Sequence, residues 1–295
     1  MLNTLNDVLN NVDNFIWGMP LIILILFTGI LLTVRLRGLQ IRHLGKALHY
    51  VFHNEYDGEG EVTSFGALCT ALSATIGTGN IVGCATAIVA GGPGALFWMW
   101  LAAFFGMATK YAEGMLAVKY RVIAEDGHTL GGPFYYIEKG MGKNFKWLAK
   151  LFCVFGTMVG LFGIGTFTQV NGITSAVNNF FDPSNVHTIS LFGMNYSISV
   201  VVAGIIVTIC AGLVIIGGIK RISKVSEVIV PFMAVTYIGV CLIIVFTHLP
   251  QVPAAFAEIV QSAFGLKAVA GGAIGAMTVA MQKGIARGIF SNAVS

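Results

Sequence analysis

Charged residues are scarce in this 295-residue sequence, at 10% of the chain against 56% hydrophobic residues. A soluble globular domain carries roughly a quarter charged residues, so this chain lacks the charge needed to cover a water-facing surface. Its mean hydropathy is +0.82. Long stretches contain no charged residue at all, among them 152–181, 194–219 and 228–247. A membrane-spanning helix needs about 20 apolar residues, so the composition predicts a polytopic membrane protein.

The sequence also lacks the residue patterns of a metal site or an enzyme. Its five cysteines lie in apolar runs without a C-x-x-C spacing, which argues against a zinc site and a disulfide framework. Its six histidines fall in or beside predicted loops, and no H-E-x-x-H motif occurs. No nucleophile–base pair lies within one predicted element. We therefore expect neither an enzyme nor a resident cofactor.

The apolar runs predict seven membrane elements, over residues 15–35, 64–90, 94–117, 151–178, 196–218, 226–248 and 254–286. Lys and Arg cluster after the first, third and fifth elements, and Lys283 and Arg287 lie at the end of the seventh. The other connections, 91–93, 179–195 and 248–253, contain neither residue type. Because inner loops are enriched in Lys and Arg, this alternation predicts a cell-membrane protein with its N-terminus outside. The net charge of +4 then reflects orientation, and no nucleic-acid partner is expected.

The second element is long enough to cross a membrane, but its middle is a poor helix interior. It contains Ser73, Thr75, Gly77, Thr78, Gly79 and Asn80. Glycine is unfavourable inside a helix, and unwound peptide groups at membrane depth are tolerated only where they line a cavity or hold a ligand. An interrupted helix of this kind presents N–H groups to a carboxylate and carbonyls to a cation. Close helix packing through Gly79 and Gly83, at GxxxG spacing, is the alternative interpretation.

Two further elements contain candidate binding residues. The seventh element has glycines at 265, 271, 272 and 275, in a pattern similar to the glycines of the second. We expect a second interruption there, with four uninterrupted spans between the two broken ones. In the fourth element, Gln169 is costly in lipid unless it faces protein or water. Its amide suits either a zwitterionic substrate or a hydrogen bond between helices.

The run Gly91-Gly92-Pro93-Gly94-Ala95-Leu96-Phe97-Trp98-Met99-Trp100-Leu101 resembles the signature of the alanine/glycine:cation symporter family. Segments 73–83, 131–136, 163–171 and 287–292 resemble the same family. The resemblance implies an all-α polytopic membrane protein with the inverted-repeat fold of the neurotransmitter sodium symporters. Residues 1–63 would form an extra helix and a basic linker, 64–250 the first five-helix repeat, and 251–295 the first helix of the second.

The same resemblance implies a cation-coupled symporter of small neutral amino acids, alanine or glycine, that works by alternating access. The amides of Thr78 and Gly79 would meet the substrate carboxylate, and Phe167 and Gln169 would border the substrate. The second break would be supplied by the glycines at 271, 272 and 275.

For the coupling cation, the resemblance implies two sites. The Thr75 carbonyl and the Asn80 side chain would hold one ion, and the carbonyls of Ser73 and Ile76 the other. No carboxylate lies between residues 73 and 80, which favours Na⁺ over H⁺ as the coupling ion.

The end of the sequence departs from the family pattern. After Ser291-Asn292 the family continues Glu-Ala-Gly, whereas this chain reads Ala293-Val294-Ser295. We therefore expect a C-terminally truncated carrier, a monomer in contact with membrane lipid. A truncated membrane remnant that does not transport is the alternative.

Overall fold

The computed structural model describes residues 2–16, 18–53, 62–125, 129–163, 165–191, 193–265 and 273–293. The described chain is mostly helical, as the sequence predicts. In chain order its helices are α1 Leu2–Ile16, α2 Met19–Arg35, α3 Leu39–Arg42, α4 Leu44–Phe52, α5 Ser64–Thr75, α6 Thr78–Gly91, α7 Gly94–Lys119, α8 Pro133–Gly140, α9 Lys146–Leu161, α10 Thr166–Phe181, α11 Ile198–Ile215, α12 Gly218–Thr247, α13 Val252–Ala263 and α14 Ala273–Ala293.

Two short antiparallel strand pairs correct the all-α expectation. Strand β1 (Val122–Ile123) pairs with β2 (Thr129–Leu130), and β3 (Thr188–Leu191) pairs with β4 (Met194–Ser197). Both pairs lie in connections between predicted membrane elements, where the chain is too polar to span. The first connection also contains α8.

Several helices are long and apolar enough to cross a membrane. Among the described residues, three stretches meet this requirement alone, namely Lys143–Phe181, Ile198–Ile215 and Gly218–Thr247. The bent pair Ser64–Thr75 and Asn80–Gly91 makes a fourth if it counts as one span. Helix α2 is apolar but has only 17 residues. The described helices therefore fit a multi-pass membrane protein, and the predicted total of seven elements stays a prediction.

The fourth predicted element is two helices, so the expectation of four uninterrupted spans between the broken ones is wrong. Helix α9 ends at Leu161 and α10 begins at Thr166. Between them Gly163 has φ +59° and Gly165 has φ +91°, a left-handed backbone region that favours glycine. These two glycines are the physical reason for the interruption.

The described residues form two compact units. The first comprises residues 1–50, 80–116 and 234–295. Its buried centre is built from Ile22, Ala102 and Ile285, with Leu26, Trp98 and Met281 packed around them. The start of α7 lies against the end of α13, where the Trp98 indole N–H donates to the Ala263 carbonyl at 3.1 Å.

In this first unit, α14 lies close to the beginning of α7 because two glycines of α14, Gly284 and Gly288, face α7. A Cβ on Gly288 would lie 2.9 Å from the Ala102 Cβ, and one on Gly284 would lie 2.9 Å from the Trp98 Cβ. The same arrangement sets the Lys283 Cβ 3.2 Å from the Cβ position of Gly91. The sequence predicts these two residues at opposite membrane surfaces, and that assignment is wrong for the pair.

The second unit comprises residues 51–79 and 117–233. It contains α5, α8 to α11 and the first half of α12. Its β3–β4 hairpin is fixed by Asp182, which follows α10 and accepts hydrogen bonds from the N–H groups of Val186 (2.9 Å) and His187 (3.1 Å) and from the Ser197 hydroxyl (3.2 Å). These contacts hold the pKa of the Asp182 carboxyl below its usual range, with the Val186 N–H as the largest cause.

Candidate functional site

The second predicted element is interrupted where the sequence predicts it. Helix α5 ends at Thr75, and Ile76 is extended, with φ −82° and ψ 99°. The last backbone hydrogen bond of α5 runs from the Ile76 N–H to the Leu72 carbonyl at 2.7 Å. Helix α6 begins at Thr78, and the helix axis bends by 41° across the break.

This break removes a set of peptide groups from the helical ladder. The carbonyls of residues 73–76 follow the last α5 hydrogen bond, and the N–H groups of residues 77–80 precede the first bond of α6. Carbonyl dipoles at a helix C-terminus favour a cation, and N–H groups at a helix N-terminus favour an anion. The interruption therefore places groups that favour a cation and groups that favour an anion within eight residues of each other.

Helix α10 lies directly against the break, within the second unit. A Cβ on Gly77 would lie 3.4 Å from each of Cδ, Nε2 and Oε1 of Gln169. Three equal distances place the flat face of the amide over the Cβ position of Gly77. One turn on, a Cβ on Gly172 would lie 2.6 Å from the Thr78 Cγ2.

The structure thus places Gln169 beside Gly77 and Thr78 beside Gly172, and the substrate roles of Thr78 and Gln169 stay predictions. Gly172 was not predicted, although its position three residues after Gln169 puts it on the same face of a helix. Only a residue without a side chain permits α10 to approach this closely.

The other predicted substrate residues are placed differently. Phe167 is 74% exposed, and its ring lies against Gly163, where a Cβ would be 2.9 Å from Cε2. Gly275 lies inside α14, with nothing within 4 Å of its Cβ position. Gly271 and Gly272 lie outside the described residues. Gly79 lies in the first turn of α6, next to Thr78.

The predicted cation ligands at residues 73, 75 and 76 are backbone carbonyl oxygens, not side-chain hydroxyls. The Ser73 hydroxyl donates to the Thr70 carbonyl at 2.7 Å, and the Thr75 hydroxyl donates to the Ala71 carbonyl at 3.0 Å. Both hydroxyl groups therefore donate to carbonyls of the preceding turn of α5. Asn80 is half-buried in the first turn of α6. In the described part of the chain, no group of three His, Cys, Asp or Glu residues is placed to hold a metal ion.

The start of α5 is attached to α12. The Thr63 hydroxyl accepts the Gly66 N–H at 3.0 Å and donates to Glu227 Oε1 at 3.1 Å. The Ser223 hydroxyl donates to the same carboxylate at 3.5 Å. A Cβ on Gly66 would overlap both the Glu227 carboxylate and the Ser223 hydroxyl. The first half of the broken element is therefore held at its N-terminus by Thr63, ten residues before Ser73, the first predicted ion ligand.

Comparison with known proteins shows similarity along nearly the whole chain. The sequence profile of the Sodium:alanine symporter family matches residues 2–294. An uncharacterized transporter of Haemophilus influenzae is 54% identical over 290 residues, which are 98% of this chain and 60% of that protein. The sodium/alanine symporter AgcS of Methanococcus maripaludis is 44% identical over 97% of this chain and 60% of its own length. The probable sodium/glutamine symporter GlnT of Bacillus subtilis is 38% identical over 99% and 57%. The chain therefore spans about 60% of the length of these curated relatives.

Proposed function

Because this chain belongs to the Sodium:alanine symporter family, we propose that it forms the ligand-binding part of a Na⁺-coupled symporter for small neutral amino acids. The observation that carries this proposal is the interrupted helix at Ile76 and Gly77, with the Gln169 amide lying over it. Broken membrane helices facing a neighbouring helix are the usual site for both substrate and coupling ion in secondary transporters.

The substrate carboxylate binds at the N-terminus of α6. The N–H groups of Thr78 and Gly79 precede the α6 ladder and carry the positive end of the helix dipole. Gln169 offers both a donor and an acceptor beside them, which suits the carboxylate or the ammonium group of an amino acid. Phe167 and the glycines at 271, 272 and 275 belong to this proposal by family resemblance.

The coupling ion binds at the C-terminus of α5. The Thr75 carbonyl and the Asn80 side chain hold one ion, and the Ser73 and Ile76 carbonyls hold the other. Residues 73–80 include no carboxylate that could carry a proton, which supports Na⁺. One cation crossing a potential of 100 mV supplies about 2.3 kcal/mol, which corresponds to roughly fortyfold accumulation of a neutral amino acid.

At the scale of the fold, we propose that α5 opens the first of two inverted repeats, over residues 64–250, after an extra N-terminal segment. Residues 251–295 begin the second repeat. Rocking of one repeat against the other around the fixed site would give alternating access. In this orientation the N-terminus is outside the cell, and the protein acts as a monomer.

Uptake into proteoliposomes tests the proposed function. We expect radiolabelled alanine to accumulate with an inward Na⁺ gradient and not with an equal K⁺ gradient. Unlabelled glycine and glutamine are added separately as competitors. Their effects compare a small amino acid with glutamine, which the name of GlnT gives as its substrate. Alanine binding or uptake that is equal in Na⁺ and K⁺ contradicts Na⁺ coupling, and competition by glutamine but not glycine contradicts the small-substrate assignment. A non-transporting remnant, the alternative, has no described feature in its favour.

A further inference from the structure

A cationic cleft lies at the start of α12, in the second unit and away from the helix break. It has a volume of about 500 Å³, and its lining includes the exposed side chains of Lys220, Arg221 and Lys224. The sequence places this connection on the inner side of the membrane, where Lys and Arg accumulate. Three cations around one open cleft attract an anion that approaches from that side.

Among the described residues that line the cleft, Glu227 is the one carboxylate, and two other lining residues hydrogen-bond to it. Its Oε1 accepts hydrogen bonds from the Thr63 hydroxyl at 3.1 Å and the Ser223 hydroxyl at 3.5 Å. Glu227 is half-buried, whereas the three cations are exposed. The hydrogen bonds therefore hold the carboxylate in the wall of the cleft. An anion that enters meets the three positive charges of the exposed side chains and this one negative charge.

The position of Arg221 depends on a glycine. The aliphatic part of the Arg221 side chain lies against Gly217, and any Cβ at that position would overlap the Arg221 Cδ. The Arg221 side chain is consequently held beside Gly217, and both residues line the cleft. An arginine in this position can bind a phosphate with two parallel hydrogen bonds.

A continuous stripe along α12 connects the cations to an apolar face. Lys220, Lys224, Val228 and Phe232 follow one another at intervals of four residues, so each is next to the following one in a row that winds slowly around the helix. Val228 is 72% exposed and Phe232 is 74% exposed. The distance from Lys224 to Phe232 along the helix is about 12 Å, so a headgroup at the lysines leaves acyl chains beside the apolar residues.

We propose that this cleft binds the phosphate of an anionic phospholipid from the inner leaflet. The cations bind the headgroup phosphate, and the acyl chains lie along Val228 and Phe232. The apolar continuation of the stripe favours a phospholipid over free phosphate, because a soluble anion gains nothing from it. The inference is independent of the transported substrate and of the helix break.

Lipid titration followed by native mass spectrometry tests the proposal on the detergent-purified chain. Phosphatidylglycerol is the anionic probe, phosphatidylcholine the neutral one, and sodium phosphate the soluble competitor. The variant Lys220→Gln/Arg221→Gln/Lys224→Gln removes the cleft cations. Its matched control, Lys139→Gln/Lys143→Gln/Lys150→Gln, removes the same charge from another exposed part of the second unit.

We expect phosphatidylglycerol affinity to fall about fivefold for each cleft charge removed, and on the order of a hundredfold for the triple variant. The control variant should keep its affinity within about twofold, as should phosphatidylcholine binding in all variants. Equal weakening in the cleft and control variants overturns the proposal, as does unchanged binding in the cleft variant. Displacement by millimolar sodium phosphate would assign the cleft to a free anion and overturn the lipid assignment.

A second variant changes no charge and covers the case in which the triple variant does not fold. Gly217→Val displaces Arg221, whereas Gly212→Val introduces the same side chain in α11 where nothing lies within 4 Å of the Cβ position. We expect only Gly217→Val to weaken phosphatidylglycerol binding, by about the fivefold effect of one cation. Equal affinity in the two valine variants contradicts the role of Arg221.

Discussion

Single residues determine what the helix break can bind, and Gln169 is the clearest case. Its amide lies 3.4 Å from the Cβ position of Gly77, beside the N–H groups that begin α6. Replacing a polar group that contacts a charged ligand generally costs about 1.5–3 kcal/mol. We therefore expect the side chain at this position to affect substrate affinity more than its neighbours on other faces of α10 do.

Gln169→Ala is expected to lower alanine affinity by roughly tenfold to a hundredfold, because the amide no longer contacts the substrate. Equilibrium binding of radiolabelled alanine in Na⁺ measures the change. Asn171→Ala is the matched control, since it removes an amide from an exposed position of the same helix. If both variants lose affinity equally, Gln169 does not have the role proposed for it.

Asp182 has a structural role in the connection after α10. Hydrogen bonds from Val186, His187 and Ser197 favour its ionised form and lower the pKa of its carboxyl, although burial acts in the opposite direction. A lowered pKa in the folded state means that the stabilisation is present above the unfolded value of about 3.9. It is lost as the pH falls through the lower, folded-state pKa.

The variant Asp182→Asn should therefore expose the β3–β4 hairpin to faster amide hydrogen exchange at neutral pH. The difference from the unmodified chain should begin to shrink as the pH falls below about 4, where the carboxyl of the unfolded chain becomes protonated, and should disappear below the lowered pKa of the folded chain. Ser197→Ala removes only one of the three contacts and should have a smaller effect. A difference between the two chains that is constant from neutral to acidic pH would contradict this account of Asp182.

At the scale of elements, the site depends on how closely α10 approaches the break. A Cβ on Gly172 would lie 2.6 Å from the Thr78 Cγ2 and 3.1 Å from its Cβ, which is closer than side-chain atoms tolerate. Overpacking of this kind costs about 1–3 kcal/mol, because the neighbouring helix has to move. The contact between the two helices is thus set by one glycine.

Gly172→Ala is predicted to lower both thermal stability and alanine affinity, and Thr78→Ser in the same chain should restore part of both. The serine lacks the Cγ2 atom that the new methyl group would meet. Gly160→Ala in α9 is the control, since nothing lies within 4 Å of its Cβ position. Thermal unfolding in detergent and alanine binding are the measurements, and failure of the double variant to improve on Gly172→Ala would contradict the contact.

The sequence predicts some of these elements better than others. The run of glycine, threonine and asparagine at 77–80 locates the first break, because those residues are unfavourable inside a helix. The interruption between α9 and α10 was not predicted, since its glycines at 163 and 165 resemble the packing glycines of ordinary membrane helices. The contact between Gly172 and Thr78 depends on the packing of two helices, which periodicity alone does not specify.

At the scale of the molecule, the charge pattern predicts sidedness for most connections and is wrong for one pair. Lys283 lies beside Gly91 although the pattern separates them, because α14 packs on the start of α7 through Gly284 and Gly288. The basic residues that follow the first, third and fifth predicted elements are unaffected by this correction. The inner position proposed for the cleft at Lys220 and Lys224 depends on the third of these groups.

The central claim is that backbone carbonyls at the C-terminal end of α5 coordinate Na⁺, and the resonance of the Thr75 carbonyl tests it directly. Labelling with threonine ¹³C-carbonyl and isoleucine ¹⁵N selects Thr-Ile pairs, which occur at 75–76, 188–189 and 208–209. The second pair lies in β3 and the third inside α11, so both serve as internal controls. With alanine present, replacing K⁺ by Na⁺ should shift the Thr75 carbonyl resonance saturably and leave the other two unchanged. A Thr75 resonance that is the same in both ions would contradict the account.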